Sequence, residues 1–386
     1  MDNMDFLTES KIAEFNRLLR LPQPALDVLY EAAAIVREHS GLRELLRQSG
    51  LSRIPVADAD NDMGALAATV AEYPKFLEDH AAYLRTEMGD RAGMFAVILV
   101  LGLLDRTIAY YGSKRIPEEV LIETLKDLTI WMKHHYAHNG TWGLAELSWL
   151  LNHATGQLFR LGRLQFAHKA FNHAVVVLRN ANSGEVVILS EPGVNYRRDG
   201  RVDGTNGKYE SEQGWQARYD QSDDRFIVGN PIRSSGFASE ETIRLSASDW
   251  VVVLRRGDPV LEVHIPEDGP MRPEQCRESF DNATRFYREQ FPEKPYRAFV
   301  CTSWLLDPQL ADLVPAPANI TSFQKTFSLF PVLSDERETY RRVFGTDDLD
   351  PVTASRDTGL RRAIVEYAEA GHLLHGGAGL LLADAI

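Results

Sequence analysis

A chain of 386 residues with a net charge of −13 and a pI near 5.4 is too long for one ordinary core. The acidity, with no Lys/Arg run to offset it, argues against nucleic acid as the main partner. Its two cysteines, Cys276 and Cys301, cannot build a disulfide framework or a tetrahedral thiolate site, and they point to a reducing cytoplasm.

The first fifteen residues, MDNMDFLTESKIAEF, lack the basic region and apolar core of a signal peptide. From residue 7 to about 156 the pattern is helical nearly throughout. Ile12, Phe15, Leu18 and Leu19 share one face, and Leu21-Pro22 ends that helix. Further helices are predicted over 24–39, 42–48, 63–71 and 75–88. The run 92–104 is apolar but shorter than the ~20 residues a membrane span needs, so no membrane contact is expected. The helix around it, 93–111, reads as the bundle centre. Pro117 opens another helix through Trp131, and 141–153 continues the helical pattern. No 20–50-residue repeat interrupts the series.

Beyond Gly156 the periodicity turns to strands, which places a boundary near 152–157 and divides the chain into domains 1–155 and 156–386. A strand pattern over 157–166 is followed by two β-branched runs around Asn182-Ser183-Gly184, which predict a hairpin. Residues 191–239 are polar, with Trp215, Tyr219 and Phe226 as anchors and a short strand over 225–229. They read as surface decoration or as a flap over a ligand site. Residues 249–308 read as strand, Gly/Pro loop, helix and strand. Pro273 sits at the helix start, and Cys276, Phe280, Ala283 and Tyr287 form one stripe. That order implies a parallel strand pair with a right-handed crossover. Helices are expected over 308–313, 320–330, 336–344 and 358–371. The cluster Gly376 to Gly379 reads as a turn into an apolar edge strand.

Chemistry concentrates at the strand ends of this unit. Glu262 and His264 alternate onto one face of the first strand and reach its carboxyl end, where open α/β sheets bind ligands. A carboxylate beside an imidazole can set up a general base; the plain structural alternative is a backbone-bonded His264 and an Arg-paired Glu262. Cys301 and Ser303 share a face at the end of the second strand, as packing residues or as weaker candidates for an acid. The loop 267–271 opens a helix whose free N–H groups could hold a pyrophosphate, although Pro270 and Pro273 remove donors. His134 and His138 stand at i, i+4, but no third ligand is identifiable. They read as a helix end, as do His372 and His375, and no metal is expected. A metal-dependent hydrolase on His134 and His138 is the third and weakest reading.

The runs LGRLQF (161–166), VHIPEDGPM (263–271) and FVCTSWLLDP (299–308), behind a helical segment, resemble the bacterial acyltransferases with an all-helical N-acyltransferase N-terminal domain and a GNAT-like C-terminal domain. The resemblance covers nearly the whole chain. It implies an α+β protein, with the helical domain followed by a GNAT-like mixed sheet. It also implies acyl transfer from acetyl-CoA or another acyl-CoA to an amine or hydroxyl of a small-molecule or peptide acceptor. On that reading His264 is the base and Glu262 orients it, with Cys301 or Ser303 as the acid. Ile265, Asp268, Gly269 and Met271 contact the cofactor. The loop departs from the broad Q/R-x-x-G-x-G/A pattern: Pro266 replaces Gln or Arg, and Met271 replaces the second small residue. A non-catalytic ligand-binding module on the same fold is the alternative.

Overall fold

The computed structural model describes residues 4–51, 54–56, 70–210, 212–221, 225–315 and 317–385. The helix predicted over 63–71 falls almost wholly outside them. The chain divides into two compact units, Met1–Ala167 with Ile265–Gly269, and His168–His264 with Pro270–Ile386.

The first unit is built on α1 (Glu9–Leu19), α2 (Gln23–Glu38), α3 (Ser40–Gln48), α4 (Tyr73–Asp79), α5 (Ala81–Met88), α6 (Met94–Ser113), α7 (Glu118–Asn139) and α8 (Leu147–Ala154). Thr8 caps α1, its hydroxyl accepting from the Lys11 N–H at 3.4 Å. The single helix predicted over 75–88 is two, α4 and α5, because the chain leaves helical geometry at His80. Helix α6 is long and apolar enough to cross a membrane by composition, yet 72% of its apolar window is buried. Its residues from Met94 to Leu101 are all buried, which makes it the centre of the bundle. Each buried Leu, Ile or Val there contributes roughly 1.5–3 kcal/mol. The predicted helix over 141–153 forms only from Leu147. Gly143 packs on Gly93 so closely that a Cβ would lie 2.7 Å from the Gly93 Cα, and the Leu144 N–H donates to the Gly93 carbonyl. That bond between distant segments stands where a helical one was expected. The strand expected over 157–166 is a hairpin of β1 (Leu158–Arg160) and β2 (Gln165–Ala170), and β2 runs on into the second unit.

The second unit contains β3 (Val175–Asn180), β4 (Val186–Ser190), β5 (Asn195–Tyr196), β6 (Trp215–Gln216), β7 (Tyr219–Asp220), β8 (Phe226–Gly229), β9 (Ile243–Ser246), β10 (Trp250–Leu254) and β11 (Pro259–His264). After them come α9 (Pro273–Gln290), β12 (Ala298–Ser303), α10 (Leu310–Leu313), α11 (Asn319–Gln324), β13 (Ser328–Pro331), α12 (Arg337–Phe344), α13 (Gly359–Glu369) and β14 (Gly377–Leu382). The main sheet runs β2–β11–β12–β14–β13, and a second sheet runs β10–β3–β4. The expected hairpin is β3 and β4, paired from Val175↔Ser190 to Arg179↔Val186. Phe171, Val175, Val177 and Leu254 pack with Val260, Ala298, Val300, Phe330 and Leu380, so the two sheets share one core. On the other face, Phe280 of α9 meets Phe299 of β12 edge-on at 5.0 Å.

Two expectations fail here. Residues 320–330 are not one helix: α11 stops at Gln324, and 328–331 form β13. Nor is the C-terminal apolar run an edge strand. β14 lies inside the sheet, antiparallel to β12 on one side and to β13 on the other. Gly377 and Gly379 belong to that strand rather than to a turn. A Cβ on Gly377 would fall on the Leu306 carbonyl, and one on Gly379 would lie 2.6 Å from the Phe327 Cβ. The described residues of 191–239 include the β5–β6 ribbon and strands β7 and β8, which form a three-stranded sheet with the following β9. Buried Tyr196 stacks on Trp215 at 4.8 Å, and Arg201 Nη2 donates to the Gln309 side-chain oxygen Oε1 at 2.6 Å.

Candidate functional site

The crossover predicted from residues 249–308 is present: β11 and β12 are parallel and joined by α9. Their registered pairs run Val260↔Ala298, Leu261↔Phe299 and Glu262↔Val300. Both strands continue past the last pair, to His264 and Ser303. The carboxyl ends of these strands are therefore the place where a ligand could enter between them.

Alternation and register decide which side chains meet. Val260, Glu262 and His264 share the face of Ala298, Val300 and Thr302. His264 Nε2 lies 3.7 Å from Glu262 Oε2, an ion-pair distance, and the two side chains are 33% and 41% exposed. Thr302 Oγ1 is 3.4 Å from Nε2 of His173, which precedes β3. His173 also packs edge-on against Phe330 at 5.1 Å. Burial would raise the Glu262 carboxyl, but His264, Lys169 and His173 outweigh it and hold the group below its usual range. Burial likewise pushes the His173 imidazole down, against the pull of Glu262, so its neutral form is favoured. The result is a charged carboxylate between two imidazoles at the end of a strand. Such a group can orient one ring and take up the charge that ring gains with a proton.

The structure does not bring Cys301 and Ser303 to this face. They alternate onto the side of Leu261 and Phe299. Cys301 is buried, and burial, with Glu262 behind it, pushes its thiol up to about 12. Its surroundings suit packing. The Ser303 hydroxyl accepts from the Leu305 N–H at 3.2 Å and caps the turn Trp304–Leu306. Among the predicted cofactor contacts, Met271 is buried and begins the approach to α9. Ile265, Asp268 and Gly269 belong to the first unit. There Asp268 Oδ2 lies 2.7 Å from Arg160 Nη1, and the Gly269 carbonyl accepts from Arg163 Nη2 at 2.6 Å. His134 Nε2 lies 3.3 Å from Glu267. Among the described residues no group of three His, Cys, Asp or Glu could hold a metal ion.

His173, Lys169 and Thr302 were not among the predicted site residues. Two further carboxylate–histidine pairs were also missed, and both are sealed. In the first unit Asp127 Oδ2 lies 3.2 Å from His153 Nε2 and accepts from the Trp149 indole at 2.7 Å. In the second, His375 does not end a helix. It is buried after α13, its N–H donates to Asp307 Oδ2 at 2.9 Å, and its ring lies 3.3 Å from Asp307 Oδ1. The i, i+4 spacing of Trp149 and His153 was the only signal for the first, since Asp127 lies far away in sequence.

Comparison with known proteins agrees with this architecture. Residues 158–381 match the GNAT-like C-terminal domain, and residues 10–156 match the N-acyltransferase N-terminal domain. The chain belongs to this family. The two matches bear out both the resemblance drawn from its motifs and the α+β fold class. No curated protein matches it. Among solved structures, an acyltransferase in complex with decanoyl-CoA and teicoplanin is 20% identical, with a TM-score of 0.57 over 97% of this chain and 88% of that one. An acyltransferase in complex with decanoyl-CoA, also 20% identical, has a TM-score of 0.51 over 96% and 98%. A mutant acyltransferase in complex with octanoyl-CoA matches at 0.57 and 20% identity over 97% and 88%.

Proposed function

We propose that this family member is an acyltransferase that moves an acyl group from an acyl-CoA thioester to an amine or hydroxyl of a small-molecule or peptide acceptor. The observation that carries the reading is the Glu262–His264 pair, part-exposed and with its carboxylate held ionised, where the β11–β12 register ends. His264 removes a proton from the acceptor, and Glu262 orients the ring and balances the imidazolium. The acceptor then attacks the thioester carbonyl, the C–S bond breaks, and coenzyme A leaves as its thiolate. His173, hydrogen-bonded to Thr302, is a positioning residue beside that carboxylate. The octanoyl and decanoyl chains held by similar structures support placing medium-chain donors ahead of acetyl-CoA, and the teicoplanin complex supports a peptide-like acceptor. The two cysteines support a cytoplasmic location.

The test is thiol release from acetyl-, octanoyl- and decanoyl-CoA by purified protein with a panel of amine and hydroxyl acceptors. Acceptor-dependent release that collapses in His264→Ala supports the reading. Full turnover in His264→Ala removes the base assignment. Acyl-CoA binding without turnover on any acceptor replaces the enzyme with a ligand-binding module.

A further inference from the structure

Thr302 is the one hydroxyl residue that β12 turns to the face of His264, and direct acyl transfer leaves it unused. Its Oγ1 lies 3.4 Å from His173 Nε2, and both residues belong to the second unit. A β-branched side chain has few rotamers, which keeps the hydroxyl aimed. Pairing with β11 ends at Val300, whereas pairing with β14 runs on through Ser303. Thr302 therefore sits, exposed to solvent, on the stretch of β12 that the β11 ladder has left.

The imidazole beside it is held from both directions along the chain. Phe171 donates its N–H to the Asp258 carbonyl at 2.7 Å and accepts from the Gly257 N–H at 2.9 Å. On the other side the Ala174 carbonyl accepts from the Glu191 N–H at 2.9 Å. The ring itself lies 5.3 Å from the Phe171 ring and 5.1 Å from that of Phe330. Glu262 stands opposite Val300 on the same face as Thr302. It precedes Thr302 by two residues on the neighbouring strand, roughly 8 Å away between Cα atoms. His173 thus touches the hydroxyl and also feels the Glu262 charge. Burial favours its neutral form, which is the form a base needs. Hydroxyl, imidazole and carboxylate in that order are the parts of an activated nucleophile, whose hydrogen bonds are often long before substrate binds.

We propose that Thr302 is a nucleophile that takes an acyl group from a thioester or activated ester, with His173 as its base and Glu262 as the balancing charge, and that the protein hydrolyses such esters when no acceptor is bound. Thr302 Oγ1 attacks the carbonyl carbon while His173 Nε2 takes the hydroxyl proton. The C–S bond breaks, and His173 returns that proton to the departing sulfur. A free thiol leaves and an acyl-threonine ester remains. Water then attacks the ester, His173 takes its proton and passes it to Thr302 Oγ1, and the carboxylic acid is released. Naming the donor as an acyl-CoA rests on the functional reading above; the nucleophile itself does not.

The full chain is mixed with p-nitrophenyl octanoate, and separately with octanoyl-CoA, with no amine acceptor present. Samples acid-quenched during the first turnover go to intact-protein and peptide mass spectrometry. A stoichiometric burst of p-nitrophenolate or thiol is expected, with a single octanoyl group on the peptide that carries Thr302. Thr302→Val, which keeps the β-branched shape, should lose the adduct and the burst, and Thr302→Ser should keep both. His173→Gln should slow the burst by roughly 10²–10⁴-fold. Cys301→Ala should retain the adduct, which separates the hydroxyl from the neighbouring thiol. A folded Thr302→Val that keeps the burst overturns the proposal. So does an octanoyl group mapped only to other residues, or no release from either ester; should Thr302→Val fail to fold, the wild-type peptide map decides. Acceptor-dependent release from octanoyl-CoA with no adduct at Thr302 removes the nucleophile and keeps the transferase. An adduct at Thr302 from p-nitrophenyl octanoate, with no turnover on any acceptor, keeps the nucleophile and removes the transferase.

Discussion

Two carboxylate–histidine pairs of nearly the same chemistry stand in this molecule under opposite conditions. Asp127 and His153 are 3% and 0% exposed and lie 3.2 Å apart, with Trp149 donating to the same carboxylate. Glu262 and His264 are 41% and 33% exposed and stand 3.7 Å apart. The sealed pair is closed to any substrate and can only hold helices together. The open pair is looser, contributes little to folding, and leaves its imidazole partly open to solvent. Access, rather than residue type, separates a strut from a candidate catalyst.

Breaking each pair in turn sharpens the contrast. His264→Ala should cut kcat/KM on a working acceptor by roughly 10²–10⁴-fold while moving stability by no more than about 0.5 kcal/mol. Steady-state kinetics and urea unfolding read the two effects. Asp127→Ala should do the reverse: about 3–5 kcal/mol of stability lost, because the Trp149 indole and the His153 ring lose their buried carboxylate. Chemical denaturation that finds less than 1 kcal/mol would show the network to be dispensable.

The third pair adds a pH dependence. Burial holds His375 below the ordinary imidazole value, with Arg201 and Arg197 acting in the same direction and Asp307 against them. Between its folded pKa and the unfolded value near 6.5, the unfolded chain binds more protons. Stability is therefore complete above that window and falls as pH drops through it. The denaturation midpoint should decline from pH 7 to 5, with a flatter slope in His375→Asn. The smallest effect belongs to Cys301→Ala. It should leave turnover unchanged and cost about 1 kcal/mol, because the thiol lies among packing residues on the face away from His264.

What the sequence revealed follows the range of the interactions. The β11–α9–β12 crossover is legible because alternation, the break after His264 and Pro273 are all local signals. The pairing of Glu262 with His264 is legible for the same reason. Residues 320–330 mislead because Phe323 and Phe327 sit at helical spacing, whereas their 5.1 Å contact joins the end of α11 to the approach to β13. His173 and Thr302 meet across 129 positions, and nothing near either residue announces the other. The grouping of Cys301 with Glu262 fails on register, since a parallel partner strand shows one set of alternate residues to each face and only its alignment says which.

The interior place of β14 bears on how this protein is made. β13 reaches β12 only through β14, whose residues 377–382 follow every other strand in the chain. Until a ribosome has released that segment, the main sheet is split, and both β12 and β13 present an open edge to the cell. A polypeptide cut short before Gly377 should be sticky and chaperone-bound, and restoring residues 377–382 should clear it.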